Sequence, residues 1–218
     1  MKNSSVKSSV IAAIVLMVAG ISAAQADAVY GGIGFPGATI GYSHDFSDSM
    51  ALRGEYSGGL SVNKSGTRNG VNFDGKLKAE SLSVLGDWYP TATGFRLTGG
   101  VSLNNINAKL NSTGGASTID GIAVDLTGLQ YNVDATYSRV TPYVGFGYSS
   151  KPNSAKGWGL YADVGVTVGK FKTSVSQNVA GTNGVTQDNV DAQTVKVRES
   201  LNNLSALPKF SVGVNYRF

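Results

Sequence analysis

Three groups of residues in this 218-residue sequence have side chains capable of chemistry. The first is His44, the single histidine, followed directly by Asp45. A histidine oriented by a carboxylate beside a serine or a water is the working part of many hydrolases. His44 and Asp45, however, lie in a stretch that alternates as a strand, and successive strand side chains leave opposite faces. The pair is therefore ill placed for a triad. His44 is expected at the bottom of a strand, on the apolar parity, as an interfacial residue. One histidine in a chain without cysteine also gives no support to a metal site.

The second group is Gly32-Ile33-Gly34-Phe35-Pro36-Gly37, which matches GxGxxG literally. A dinucleotide fingerprint needs a helix directly afterwards, so that the helix N-terminus meets the pyrophosphate. Ala38-Thr39-Ile40-Gly41-Tyr42-Ser43 follows instead and alternates as a strand. The segment is expected to be a glycine-rich hairpin, and no cofactor is expected.

The third group is more informative. Asp45, Arg53, Glu55, Asp87, Arg96, Asp163 and Arg217 are charged residues of nearly balanced sign on the polar parity of alternating segments. Arg53 and Glu55 are two apart, so both point to one side of a strand. In a narrow barrel such side chains face inward and must pair, because unpaired buried charge is costly. Two readings stay open: a salt-bridged core filling the interior, or a constriction that selects solutes by charge. The narrowness of eight strands favours the first.

The elements that would position these residues follow from period-two patterning. Phe210, Val212, Val214, Tyr216 and Phe218 alternate with Ser211, Gly213, Asn215 and Arg217. Trp158, Leu160, Ala162, Val164, Val166 and Val168 alternate with smaller or polar residues, and so do Phe95, Leu97, Val101 and Leu103. Met50, Leu52, Tyr56 and Leu60 form a further apolar face. Strands are expected over 28–34, 38–45, 50–61, 73–88, 94–107, 137–148, 157–170 and 208–218. The joins at 46–49, 89–93 and 149–156 are short, whereas 62–72, 108–136 and 171–207 are long and polar. The first hairpin, at Phe35-Pro36-Gly37, is a tight turn on the long-loop side.

Alternation alone also suits a soluble sandwich. Two features favour the membrane alternative: short turns at one end with long loops at the other, and a ring of aromatics. Phe46, Trp88, Phe95, Tyr148, Trp158 and Phe218 all fall at the short-turn ends of their strands. Amphipathic rings prefer a membrane–water interface, here the periplasmic one. The expected fold is therefore all-β, an eight-stranded antiparallel transmembrane barrel of the outer-membrane type with long extracellular loops.

One short loop helix is expected over Asp188–Leu204. Val190, Val197, Leu201 and Leu204 recur at helical spacing, Asp188 or Asn189 can cap, and Pro208 stops it. It could lie over the barrel mouth as a lid or present its apolar stripe to a partner. The 108–136 segment is rich in Ser, Thr, Asn and Gly and is expected to be a flexible surface loop.

Composition agrees. Apolar residues make up 41%, charged residues 15%, and there are 29 glycines, five prolines and no cysteine. Mean hydropathy is −0.03, too low for a bundle of apolar helices but natural for half-polar strands. Residues 1–26 read as a cleavable signal peptide: Lys2 and Lys7, an apolar stretch from Val10 to Ala19, then Ala24-Gln25-Ala26. The barrel would occupy 27–218. Without Lys2 and Lys7, 16 basic residues face 14 acidic ones, which leaves no concentrated basic face for nucleic acid.

The ending Val212-Gly213-Val214-Asn215-Tyr216-Arg217-Phe218 resembles the C-terminal signal of bacterial outer-membrane proteins. That likeness implies that Val214, Tyr216 and Phe218 are read by the barrel-assembly machinery. Pro142–Gly147, Lys156–Gly165 and Asp188–Leu204 resemble segments of the carbapenem-associated outer-membrane protein (CarO-like) family. This resemblance implies an eight-stranded barrel concerned with uptake of small amino acids.

An integral outer-membrane protein of a Gram-negative bacterium is thus expected, with no catalytic role. It would be a monomer in contact with outer-membrane lipid and lipopolysaccharide. Three activities are weighed: a narrow channel for small polar solutes such as amino acids, a closed anchor for interacting loops, and, remotely, a lipid-modifying enzyme. A continuous water path past Arg53, Glu55, Arg96 and Asp163 would favour the channel; interlocked side chains would favour the anchor.

Overall fold

The computed structural model describes residues 27–68, 71–91, 93–150, 156–182 and 184–218. The expected leader, 1–26, lies outside the described residues. Among them are 11 strands and one helix: β1 (Asp27–Phe35), β2 (Gly37–Ser47), β3 (Met50–Arg68), β4 (Val71–Trp88), β5 (Phe95–Ile119), β6 (Ile122–Asp125), β7 (Tyr131–Tyr137), β8 (Val140–Ser149), β9 (Gly157–Val168), β10 (Phe171–Gln177), α1 (Gln187–Asn202) and β11 (Ala206–Arg217).

Eight of these strands close a ring. β1 to β5 pair in sequence order, β5 pairs with β8, β8 with β9, β9 with β11, and β11 returns to β1. The closing register matches Ala28 with Arg217 and Phe35 with Phe210. Closure leaves this ring no open edge, the condition a sheet must meet to cross a bilayer. The outward parity is apolar and exposed: Ile33 is 71% and Leu160 65% accessible, with Val84, Val144 and Val212 beside them in the same band. An apolar surface of that extent marks a lipid- or partner-covered face.

Strand length separates a spanning layer from a projecting one. β1, β2, β8, β9 and β11 hold 9 to 12 residues, close to the roughly 9–11 needed to cross a bilayer. β3, β4 and β5 hold 19, 18 and 25 and therefore run well past the ring. β7 and β10 extend the same projection, β7 pairing with Asn107–Asn111 of β5 and β10 pairing with β7. The joint is bridged by backbone bonds: Ser138 N donates to Lys170 O at 2.9 Å, and Asn104 N to Arg139 O at 2.6 Å.

Several sequence expectations change here. The segments 62–72 and 108–136 are not free loops, since β3 and β4 continue to pair and β5 runs on to Ile119. Asp120 and Gly121, both with positive φ, then turn the chain into β6. Asp-Gly between alternating apolar residues is a strong hairpin signal, and the polar composition around it obscured it. The 171–207 segment likewise holds β10 as well as the helix.

Leu60 does not share the outer face of Met50, Leu52 and Tyr56. The register shifts between Ser57 and Leu60, where Gly59 adopts φ +91°, and this bulge reverses the parity of all that follows. Leu60 therefore packs inside, against Ala79, Ile106 and Tyr137.

The helix starts one residue earlier than expected and ends at Asn202, leaving Leu204 outside it and exposed. Its cap is Thr186, not Asp188 or Asn189. Asn189 N donates to Thr186 Oγ1, and Asn189 Oδ1 accepts from Thr186 N at 3.0 Å, a reciprocal capping box. Val190 is buried with Ile119, Val124, Leu126, Val179 and Val185. This small core holds the helix to the upper strands.

Candidate functional site

The barrel interior is built in layers. At the short-turn end Arg217 Nη1 donates to Asp45 Oδ2. Above it Arg53 and Arg96 hold Asp87 and Asp163. Arg53 Nη1 lies 3.0 Å from Asp163 Oδ2, and its Nη2 is 3.1 Å from Asp87 Oδ1. Arg96 Nη2 lies 2.7 Å from both oxygens of Asp163. Thr98 Oγ1 donates to Asp87 Oδ1 at 2.7 Å. Higher again, Glu55 accepts from Lys209 Nζ at 2.8 Å and from Tyr30 OH at 2.9 Å. Lys209 also donates to Ser83 Oγ at 2.9 Å.

All seven charged residues singled out from parity are thus buried and paired. With Lys209, four cations face four carboxylates among the described residues. Lys209 stands just before the alternating run at 210–218, and the same parity points it inward.

Tyrosines were the larger omission. Tyr30, Tyr143 and Tyr161 are all nearly inaccessible; Tyr30 and Tyr161 pack edge to face at 5.1 Å, and Tyr143 lies beneath Lys209 Nζ. They lie across glycines on neighbouring strands. A methyl at Gly41 would overlap the Tyr30 ring, and one at Gly147 would collide with Asp163 Oδ1 and sit 3.1 Å from Arg96 Nε. The inward glycines therefore make room for rings and ion pairs. The void left near Tyr30, Arg53, Arg96 and Arg217 is about 20 Å³, little more than one water needs. Over the charged layers Ala79, Ile106 and Tyr137 close the mouth with Leu60, Leu77, Phe171 and Leu207 packed against them.

Above that apolar layer the projecting strands and α1 enclose a cup. Its cavity is about 750 Å³ and is walled by Val62, Leu77, Leu110, Ile119, Leu126 and Val133, with Gln193 and Val197 of the helix on one side. The helix is held there by Lys196, whose Nζ lies 2.6 Å from Asp120 Oδ1, and by Asn189 Nδ2 donating to Asp120 Oδ2. These two hydrogen bonds lower the Asp120 pKa below its ordinary value. Burial raises that of Tyr131 in the cup wall.

His44 has a carboxylate partner that sequence proximity did not reveal. Its Nδ1 lies 2.6 Å from Asp27 Oδ1, its cross-strand neighbour on β1. Asp45 points inward to Arg217. The glycine-rich Gly32–Gly37 segment forms the β1–β2 hairpin, which turns through Pro36. Phe46, Trp88, Phe95, Tyr148, Trp158 and Phe218 all lie exposed at the short-turn end. Val214 and Tyr216 are on the outer face too, Tyr216 packing edge to face with Trp158 at 5.1 Å.

A closed ring of eight antiparallel strands, apolar outside and charged within, defines a β-barrel of the outer-membrane type. Two crystal structures of such barrels share the fold. Acinetobacter baumannii CarO2 is 21% identical, with a TM-score of 0.61 over 91% of this chain and 100% of that one. Acinetobacter baumannii CarO is 20% identical, with a TM-score of 0.57 over 88% of this chain and 97% of that one. At these identities the likeness is one of fold. No family model and no curated protein sequence matches the chain.

Proposed function

We propose that the chain is an outer-membrane protein whose barrel is a closed anchor for the cup at its long-loop end. The observation that carries this reading is the interlocked interior: paired charges and tyrosines around a void of about 20 Å³, beneath an apolar layer. Water and small solutes need a continuous polar path, and Arg53 and Arg96 occupy the place where it would run. The charged layers then serve to fill the barrel rather than to select solutes, and no residue has a catalytic role.

On this reading the cup faces outward, among lipopolysaccharide, and the six-residue aromatic ring marks the periplasmic interface. Residues 1–26 direct export, and Val214, Tyr216 and Phe218 present the assembly signal. The lone barrel is complete as a monomer. The channel alternative makes the opposite forecast in the same assay. Purified barrel in planar bilayers should give no discrete conductance, and liposomes containing it should not swell with glycine or other small amino acids. Discrete conductance that changes with Arg53→Ala or Glu55→Ala would establish the channel and overturn the anchor.

A further inference from the structure

The outer face of the sheet passes abruptly from apolar to basic where the projection leaves the ring. On β4 the outward residues run Trp88, Gly86, Val84 and Leu82, then Glu80, Lys78 and Lys76. On β9 they end at Val168, and the same side continues through Lys170 to Lys172 of β10. On β5 Leu103 is followed by Asn105, Asn107 and Lys109. The alternate residues fix these faces: Leu77, Ala79, Ile106, Tyr137 and Phe171 all pack inside.

Charge on this collar is unbalanced. Lys76 stands directly opposite Lys109, a like-charge pair that disfavours the sheet. Lys109 has a carboxylate, Asp134 Oδ1 at 3.1 Å. Among the described residues no carboxylate lies within ion-pair distance of Lys76, Lys78, Lys170 or Lys172. Glu80, at the apolar border, accepts from Asn105 Nδ2 at 3.3 Å, and Asp74 lies beyond Lys76, opposite Ser65 and Asn111. The other carboxylates of the projection belong to the β5–β6 hairpin and to α1.

Height and spacing point to what these cations meet. A strand advances about 3.4 Å per residue and crosses a bilayer tilted by about 45°. Lys170, two residues past Val168, thus stands about 5 Å above the apolar band, and Lys172 about 10 Å. Lys78, four residues past Leu82, is also about 10 Å above it. Headgroups fill roughly the first 5–8 Å beyond the hydrocarbon, within reach of a lysine whose stem lies along the sheet. The Lys76–Lys78 and Lys170–Lys172 pairs are separated by β5 and β7, three strand spacings or about 14 Å. Two cation pairs so placed suit a headgroup with two phosphates.

We propose that this collar binds the phosphates of a bisphosphorylated outer-leaflet glycolipid, one at Lys76 and Lys78 and the other at Lys170 and Lys172. The inference rests on the reading that places the projecting end outside the outer membrane, and it adds a specific lipid contact to that reading.

The test titrates the full barrel in maltoside micelles with bisphosphorylated lipid A, and native mass spectrometry counts the lipid retained. Half-saturation should come at a concentration at least about tenfold below that for lipid A stripped of both phosphates. Lys78→Gln/Lys170→Gln/Lys172→Gln should weaken the bisphosphorylated lipid by at least about tenfold and leave the stripped lipid unchanged. All three side chains are exposed, so this variant keeps the fold, which heat-modifiable gel mobility verifies. Lys64→Gln/Arg198→Gln, which removes cations from the inner face and the helix, should bind lipid A as the unaltered barrel does. Orientation is read separately. The chain has no native cysteine, and Ser65→Cys, on the outer face, should react with a membrane-impermeant maleimide on intact Gram-negative cells. Labelling of intact cells without a phosphate preference, or with equal loss in the two lysine variants, would overturn the collar and leave the outward reading standing. Labelling only after the outer membrane is opened would overturn both.

Discussion

Replacing Arg53 with methionine removes the centre of the buried ion-pair layer while keeping a side chain of comparable length. Its consequences can be apportioned among the partners. Glu55 keeps Lys209 at 2.8 Å, and Asp163 keeps Arg96 at 2.7 Å. Asp87 fares differently: Arg53 Nε lies 2.5 Å from it, whereas Arg96 Nε is 3.7 Å away. Without Arg53, Asp87 retains the Thr98 hydroxyl and the longer ion pair to Arg96, and loses its closest cation. Stranding a buried charge by removing its partner costs about 3–5 kcal/mol. Arg53→Met should lower stability by that amount, and Arg53→Met/Asp87→Asn should recover most of it, because the amide oxygen still accepts from Thr98. The assay is urea unfolding from phosphatidylcholine vesicles, followed by fluorescence of Trp88 and Trp158, which stand on the outer surface. A single-variant loss below about 1 kcal/mol, or no recovery in the double variant, would refute the view that these charges hold the barrel together.

Two further outcomes test other layers of the same account. Gly147→Ala should cost about 1–3 kcal/mol in the same unfolding assay, because the methyl overlaps the Asp163 carboxylate and must displace the Arg96 pair; a neutral result would mean the interior has slack. The Asp120 contact should make helix docking pH-dependent. Its carboxyl ionises more easily in the folded chain than in the unfolded one, so the contact is complete above the ordinary value of 3.8 and fades as pH falls through the lower folded value. Amide protection factors along α1 should fall over that acid range in the native protein and stay flat in Asp120→Asn.

Much of the candidate site was legible because the relevant signal is local. Which side of a strand a residue occupies depends only on its place in the alternation, so Asp45, Arg53, Asp87, Arg96, Asp163 and Arg217 could be assigned to one surface without knowing their neighbours. Where local order is broken, that inference fails. At Ser57–Leu60 one bulge sends Leu60 and Lys64 inward, and Lys64 thereby reaches the cup. The hairpin at Asp120-Gly121 carried its own local signal and was masked by polar surroundings. The Thr186 cap is equally local, a threonine three residues before Asn189, and it lies just outside the apolar spacing that marks the helix.

The sequence by itself determined the alternating faces, the short and long connections, the aromatic end and the inward charges, since each follows from backbone geometry within a few residues. Tertiary structure decided who pairs with whom. Arg53 meets Asp163 across 110 positions and Lys209 meets Ser83 across 126, separations set by strand order and by the register at which the ring closes. It also decided that tyrosines over glycines fill the barrel, and that strands longer than a bilayer wall an apolar cavity beyond it. Volume is a property of several strands at once, and no single stretch of chain encodes it.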